Sequence, residues 1–457
     1  MHPRYATNRT ELTLNIAGDD NLSTMGGLKS FSLKHHIHRP MHKLESKSDI
    51  IRGFSPAWFN ATMGTGAIAN LIHSFPYSCR PLEYIGMAIG LFNITIYLAC
   101  FVLFATRLVK HRDISDILLH PQLSMSLGTI PMGLCTIVSG LVTMMSRFNT
   151  TWIPIFALVL WSIVVVASVL CSLIVPFVVI AHQKYTLESM SAILLLPVVP
   201  NVVAASTGGI VASAFSGTSA TAIILVSYML WGMGVVLAMM LITAYLIRLV
   251  LYKLPPKEAM ASAFIPLGPL GQSSYGIQVL GTQALRVFPA SMPQIEYIGS
   301  ILYVLGFIVG LLLWAAALWW FVHASCSAIY TLVHERVPFN LGWWALIFPA
   351  GTVAFSTNAL WGTTGYTFFR VLNASLTAGL AVLWIYVLAN TIMYAWTGEL
   401  FKPSNVSRLE LADSSSNDSA DADEYREFSE DAQALPLPTD SPASGVTKIV
   451  ADPSQMV

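Results

Sequence analysis

The stretch Pro266-Leu267-Gly268-Pro269-Leu270-Gly271-Gln272 inserts two prolines and two glycines into the middle of a long apolar segment. Ten such segments lie between Phe54 and Trp396. Proline or clustered glycine interrupts the odd-numbered ones in mid-span, whereas the even-numbered ones are smoother stretches of Leu, Ile, Val and Trp. The other interruptions are Met63-Gly64-Thr65-Gly66, Leu127-Gly128-Thr129-Ile130-Pro131-Met132-Gly133, Pro197-Val198-Val199-Pro200 and Phe348-Pro349-Ala350-Gly351-Thr352. Broken helices are tolerated in lipid only where protein buries them or where they line a cavity. The alternation therefore predicts that odd segments form the inner wall of a pathway and even segments its outer support.

The composition is that of a polytopic membrane protein. Of the 457 residues, 55% are hydrophobic and only 11% are charged, against about 25% charged in soluble proteins. Because about 20 apolar residues span a bilayer as a helix, the predicted spans are 54–73, 82–106, 122–143, 152–180, 189–213, 222–247, 260–285, 297–325, 341–361 and 371–397. A transmembrane β-barrel would show short alternating segments instead. We expect an all-α protein whose ten helices form five hairpins around a central pore, with the odd helices inside.

The basic residues predict the orientation of the chain. The loops after the second, fourth, sixth and eighth segments hold eight Lys or Arg residues, whereas the opposite loops hold only Arg80, Arg147, Arg286 and Arg370. The positive-inside rule then places both termini in the cytoplasm. Residues 51–400 are the predicted transport domain. We expect residues 1–50 to be a disordered cytoplasmic arm without a cleavable signal peptide, and residues 401–457 to be a disordered, acidic, Ser-rich cytoplasmic tail.

The pathway is predicted to be neutral. All 24 Lys and Arg and all 24 Asp and Glu residues lie in loops, tails or span ends. Proline breaks a helix by removing a donor, and the N-terminal ends of half-helices favour anions. Hydroxyl and amide side chains can add donors, although Gly and Pro can also serve only close helix packing. The predicted pathway residues are Gly64, Thr65, Gly66, Thr129, Pro131, Pro197, Pro200, Pro266, Gly268, Pro269, Gly271, Gln272, Ser273, Pro349 and Thr352.

Phe348 stands immediately before Pro349 in the middle of the ninth segment. A ring that projects into a narrow pore makes a hydrophobic gate, whereas periodicity alone favours an ordinary packing phenylalanine. Asn60, Asn93 and Asn373 begin glycosylation sequons in or beside spans, and Asn149 begins one in a short external loop. No metal or cofactor site is expected.

Three motifs resemble those of the tellurite-resistance/dicarboxylate transporter family. Phe54-Ser55-Pro56-Ala57-Trp58-Phe59 with Thr62-Met63-Gly64-Thr65-Gly66 looks like the first helix of this family. Trp343-Trp344-Ala345-Leu346-Ile347-Phe348-Pro349 resembles the motif of slow anion channels that ends in the gating phenylalanine. Gly268-Pro269-Leu270-Gly271-Gln272-Ser273 looks like the Gly-Pro-x-Gly-Gln motif of fungal sulfite pumps, although Leu270 replaces the small residue or Cys of many relatives.

The resemblance covers residues 50–400 and carries specific implications. It implies ten helices in five hairpins, an axial pore lined by odd helices, a homotrimer with one pore per subunit, and Phe348 as the gate. It also implies export of sulfite or hydrogensulfite across the plasma membrane, which confers sulfite tolerance. The partners would be a small anion and the lipid bilayer, with no nucleic acid.

Other functions stay open from the sequence. A transporter of malate or another C4-dicarboxylate, or an anion channel of the same family, fits the same architecture. A dicarboxylate would favour a second cationic anchor, which the spans lack. An enzyme is not expected, because the spans carry no HExxH, GxSxG or acid pair. A non-transporting scaffold that uses the two tails is the remaining alternative.

Overall fold

The computed structural model describes residues 51, 53–77, 79–145, 150–398 and 400, and these are folded almost entirely into helices. Ten of the described helices have 14 residues or more. In chain order they are α1 (Phe59–His73), α2 (Arg80–His111), α3 (Thr129–Met145), α4 (Trp152–His182), α5 (Val199–Ala212), α6 (Gly217–Tyr252), α7 (Leu267–Ser291), α8 (Ile298–His334), α9 (Ile347–Thr364) and α10 (Thr367–Trp396). The predicted all-helical class is confirmed. The predicted arm 1–50 and tail 401–457 lie outside the described residues.

Six helical stretches among the described residues are long and apolar enough to cross a membrane. They are α2, α4, α6, α8 and α10, together with Pro121–Met144, which includes most of α3. The chain is thus a multi-pass membrane protein. The sequence predicted ten spans, and the other four helices, α1, α5, α7 and α9, are shorter or less apolar than these six.

Burial divides the helices into two sets. In α2, α4, α8 and α10 only 22% of the most apolar window is buried, and in α6 33%, whereas the figure for Pro121–Met144 is 61%. The less buried helices expose large aliphatic side chains, such as Ile180 at 85% and Val382 at 69%. Such a surface favours contact with lipid. By contrast, protein buries 13 of the 14 residues of α5 and 11 of the 18 residues of α9.

The buried helices form a closed ring of contacts. Within the described chain, α1 packs against α3, α3 against α5, α5 against α7, α7 against α9, and α9 against α1. Each of them also packs against the helix that follows it in the sequence, so that α2, α4, α6, α8 and α10 lie against the ring. We call α1, α3, α5, α7 and α9 the inner helices.

Prolines mark where the inner helices begin. Pro131, Pro269 and Pro349 are the third residues of α3, α7 and α9, and Pro200 is the second residue of α5. Proline is tolerated there because the first N–H groups of a helix have no intrahelical acceptor. A short helical piece precedes each inner helix: Pro56–Trp58, Pro121–Ser126, Ala192–Leu195, Lys257–Phe264 and Leu341–Leu346. Four of the five interruptions read in the sequence therefore lie where a short helix gives way to a longer one. The fifth, Met63–Gly66, lies inside α1, which continues through it.

Candidate functional site

A small cavity lies where the inner helices begin. Each inner helix, or the short piece before it, contributes to the wall. The lining residues are Asn60, Met63, Met132, Leu196, Val199, Ile265, Gly268, Trp344, Ala345, Phe348 and Pro349. Since all five inner helices take part, this central cavity lies on the inside of the ring.

The central cavity is closed to anything much larger than water. Its volume is about 20 Å³, and one water needs about 10–15 Å³ measured in this way. The Phe348 side chain is buried, with 4% of its surface exposed, and belongs to the main hydrophobic core. The structure therefore describes a constriction with an aromatic side chain in its wall, too narrow for an anion of several heavy atoms.

The partial charges near the constriction are those of backbone groups at helix N-termini. None of the described lining residues carries a formal charge. The inner helices start at Phe59, Thr129, Val199, Leu267 and Ile347, next to the lining residues, so their N-terminal ends surround the cavity. Within the described residues, α1, α5, α7 and α9 have no side-chain N-cap. Helix N-termini carry partial positive charge, and none of the described lining residues adds a fixed cation.

Asn60 supplies an amide to an otherwise apolar wall. It is the second residue of α1, and its side chain makes no hydrogen bond to the described residues. Both hydrogens of its amide are therefore free of hydrogen bonds to the described residues. The sequence indicated Asn60 only as a sequon. Its spacing of three residues from Met63, one turn along the same helix face, is the signal that could have pointed to this position.

Three predicted residues, Gly268, Phe348 and Pro349, line the central cavity. Three predicted hydroxyls instead join helices nearby. Thr65 Oγ1 accepts from Trp384 Nε1 at 3.1 Å, Thr129 Oγ1 donates to Pro56 O at 3.0 Å, and Thr352 Oγ1 lies 3.0 Å from Leu267 O.

Three other predicted glycines are sites of close helix packing. A Cβ added at Gly64 would lie 2.9 Å from Trp344 Cε3. At Gly66 and Gly271 it would overlap the hydroxyls of Thr136 and Thr352. These positions agree with the packing alternative. The predicted prolines Pro131, Pro197, Pro200, Pro266 and Pro269 are buried at or just before helix starts, outside the cavity wall.

Gln272 and Ser273 lie about one turn beyond Gly268 on α7. Gln272 Nε2 donates to Ser206 Oγ at 2.5 Å, and Trp231 Nε1 donates to Ser273 O at 2.9 Å. Within the described residues, Gln272 Oε1 and Ser273 Oγ are buried without a partner. The sequence missed Gln278, six residues beyond Gln272 on α7, whose Nε2 donates to Ser274 O at 3.0 Å. The part of the chain that the structure describes contains no cluster of three metal-binding side chains.

Comparison with known proteins identifies the family of the chain and several relatives. A family model described as a voltage-dependent anion channel matches residues 53–392. The sulfite efflux pump of Arthroderma benhamiae is 36% identical over 372 residues, which cover 80% of this chain and 98% of that protein. The sulfite efflux pump of Saccharomyces cerevisiae is 25% identical, over 79% of this chain and 91% of its own length. The malic acid transport protein of Schizosaccharomyces pombe is 22% identical, over 66% and 69%. The family resemblance seen in the three motifs is confirmed.

Proposed function

We propose that this chain, which belongs to the voltage-dependent anion channel family, exports sulfite or hydrogensulfite across the plasma membrane and thereby confers sulfite tolerance. The support for the substrate is the similarity to sulfite efflux pumps, at 36% identity over nearly the whole length of one of them. The support for anion transport is the neutral cavity surrounded by five helix N-termini.

All ten long helices cross the membrane in this proposal. They form five hairpins around an axial pore, with both termini in the cytoplasm and one pore in each subunit of a homotrimer. The closed ring of inner helices and the apolar surface of the outer ones support the arrangement within a subunit. The trimer follows from the family resemblance.

Phe348 is the gate of the proposed pore. Its ring closes the pore at the central cavity, where Gly268 and Pro349 lie beside it. Movement of the ring would open a route past the helix N-termini and the Asn60 amide. The other predicted pathway residues on the inner helices, including Gln272 and Ser273, would hold this wall in place or contact the anion above and below the gate.

The membrane potential supplies the driving force. The described spans carry no central carboxylate to relay protons, so we propose a uniport that needs no coupling ion or cofactor. An inside-negative potential contributes about 2.3 kcal/mol per charge for each 100 mV. This favours the exit of an anion.

The uncharged lining of the central cavity supports sulfite over malate as the solute. Malate carries two separated carboxylates and gains from a second cation, and none of the described lining residues is charged. We therefore assign malate as the comparison substrate. A non-transporting scaffold receives no support from a cavity that gathers residues of all five inner helices.

Flux into liposomes that contain the purified protein tests this proposal. Sulfite, malate, nitrate and chloride are compared under an imposed potential, with protein-free liposomes as the control. We expect sulfite flux that follows the potential and exceeds malate flux. Malate flux equal to or above sulfite flux would contradict the assignment of sulfite as the substrate. Proton movement stoichiometric with sulfite would contradict the uniport.

A further inference from the structure

A second cavity, of about 290 Å³, lies between α1, α2 and α3. Among the described residues it shares no wall with the central cavity. Its lining is mostly apolar and includes Met87, Ile94 and Met144. Leu91, also in the lining, is 67% exposed on α2. Because α2 presents its apolar surface outwards, a molecule dissolved in the membrane can reach this side cavity.

Glycines give the side cavity its depth. Gly66, Gly90 and Gly140 come from α1, α2 and α3 and all contribute to the lining. A Cβ added at Gly90 would lie 3.3 Å from the flexible Met144 Sδ. A larger side chain at Gly90 would therefore enter the cavity without striking rigid backbone.

Two amide oxygens at the side cavity have no hydrogen-bond donor. Asn70 Oδ1 and Asn93 Oδ1 are buried and unpartnered among the described residues. Their nitrogens both turn to Thr136: Asn70 Nδ2 donates to Thr136 O at 3.0 Å and Asn93 Nδ2 to Thr136 Oγ1 at 3.4 Å. The Thr136 hydroxyl donates in turn to Gly133 O at 2.8 Å, so its proton is not available to either oxygen. An unpaired buried acceptor costs free energy that a donor would recover.

The chemistry of these groups selects the ligand. Acyl chains have no donor, and an anion would be repelled by two acceptor oxygens. Both oxygens are buried, and the whole Asn93 side chain is only 1% exposed, so its oxygen needs a donor brought by the ligand. We infer that the side cavity binds a neutral membrane lipid with a hydroxyl group on an apolar body, a sterol or a long-chain alcohol, whose hydroxyl donates to Asn93 Oδ1.

The two acceptors lie at different depths. Asn70 lies three residues before the end of α1, which is about 4.5 Å along the helix axis. The first turns of α2 lie beside that end, since a Cβ added at Gly86 would lie 2.8 Å from His73 N. Asn93 lies deeper, because a Cβ added at Gly66, in the middle of α1, would lie 2.6 Å from Asn93 Nδ2. The hydroxyl of the ligand would therefore enter from the side of the protein and lie deeper than the helix ends.

Photoaffinity labelling of the full-length protein in nanodiscs tests the inference. The probes are a photoactivatable sterol and a photoactivatable long-chain alcohol, each compared with its methyl ether, which cannot donate. We expect a free-hydroxyl probe to label residues 87–94 and 137–144. The ether should label them about fivefold less, as expected for the loss of a hydrogen bond worth about 1 kcal/mol. The more strongly labelling skeleton identifies the source of the hydroxyl.

Two variants locate the site. Gly90→Leu fills the cavity and should abolish labelling, whereas Asn93→Leu should reduce labelling by the free-hydroxyl probe to the level of the ether. The control is Gly379→Leu, because a Cβ there meets nothing within 4 Å. Equal labelling by hydroxyl and ether probes would overturn the inference, as would wild-type labelling of Gly90→Leu. Neither readout depends on sulfite transport.

Discussion

The Thr352 hydroxyl lies between two helix starts, 3.0 Å from Leu267 O on α7 and 2.6 Å from Pro349 O on α9. Thr352 is fully buried. Leu267 precedes Gly268, and Pro349 follows Phe348, so the residues next to both carbonyls line the central cavity. A single side chain thus holds the segment that carries Phe348 against the neighbouring inner helix.

Replacement of Thr352 by Val should weaken this junction. The shape is kept, but two buried carbonyls lose their shared donor, and we expect a loss of about 1–2 kcal/mol of stability. Thermal unfolding in detergent measures it. Thr243→Val is the matched control, because the exposed Thr243 donates only within its own helix, to Met239 O at 2.9 Å. An equal loss in both variants would contradict a role for the contact between α7 and α9.

Phe348→Ala should open the constriction. Removal of the ring enlarges the central cavity of about 20 Å³, and a barrier lowered by about 1.4 kcal/mol raises sulfite flux tenfold. Liposome flux measures the change. Phe104→Ala is the control, because Phe104 is similarly buried, at 6% exposed, in the cluster around α2. That variant should lose comparable stability without a gain in flux. If the Phe348→Ala variant transports sulfite at the same rate as the wild type, Phe348 is not the gate.

Gly268 and Gly271 should respond differently to alanine, although they stand in one motif. A Cβ at Gly268 would lie 3.9 Å from Pro349 and fits, whereas at Gly271 it would lie 2.9 Å from the Thr352 backbone. We expect Gly271→Ala to cost about 1–3 kcal/mol by overpacking. Gly268→Ala should keep its stability and lower sulfite flux, since its methyl group narrows the cavity. An unfolding temperature of Gly268→Ala below that of Gly271→Ala would contradict this assignment of the close contact to Gly271.

Asn60→Leu should slow sulfite transport. One lost hydrogen bond worth about 1 kcal/mol corresponds to about a fivefold loss of flux. Asn60→Asp should slow it further, because a carboxylate repels the anion, and Asn60→Ser should retain part of the flux through its hydroxyl donor. Relative fluxes at matched protein density give the comparison. Faster transport by Asn60→Asp would rule out the proposed contact.

The division into inner and outer helices could be predicted from the sequence, because it depends on the residue types within each helix. Prolines stand at the starts of α3, α5, α7 and α9, and stretches rich in Leu, Ile and Val form the surface of α2, α4 and the other exposed helices. Phe348 and Pro349 end the motif that begins at Trp343, and both residues line the central cavity.

Individual contacts could not be read in this way. The sequence does not say that Gly66 meets Thr136, that Thr65 meets Trp384, or that Asn60 faces the central cavity. These relationships join residues 70 or more positions apart, or depend on which face of a helix turns inwards. They arise only when the ring closes and α9 packs against α1.

The enclosure of the inner helices also bears on how the chain is made. In the proposed ten-span arrangement, α5 crosses with only 14 residues, and α7 brings Gln272 and Gln278 into the bilayer. Such helices gain little from lipid alone, whereas α6 and α8, which follow them, are long and apolar. During synthesis we therefore expect α5 to enter the membrane together with α6, and α7 together with α8. Membrane insertion would then proceed two helices at a time.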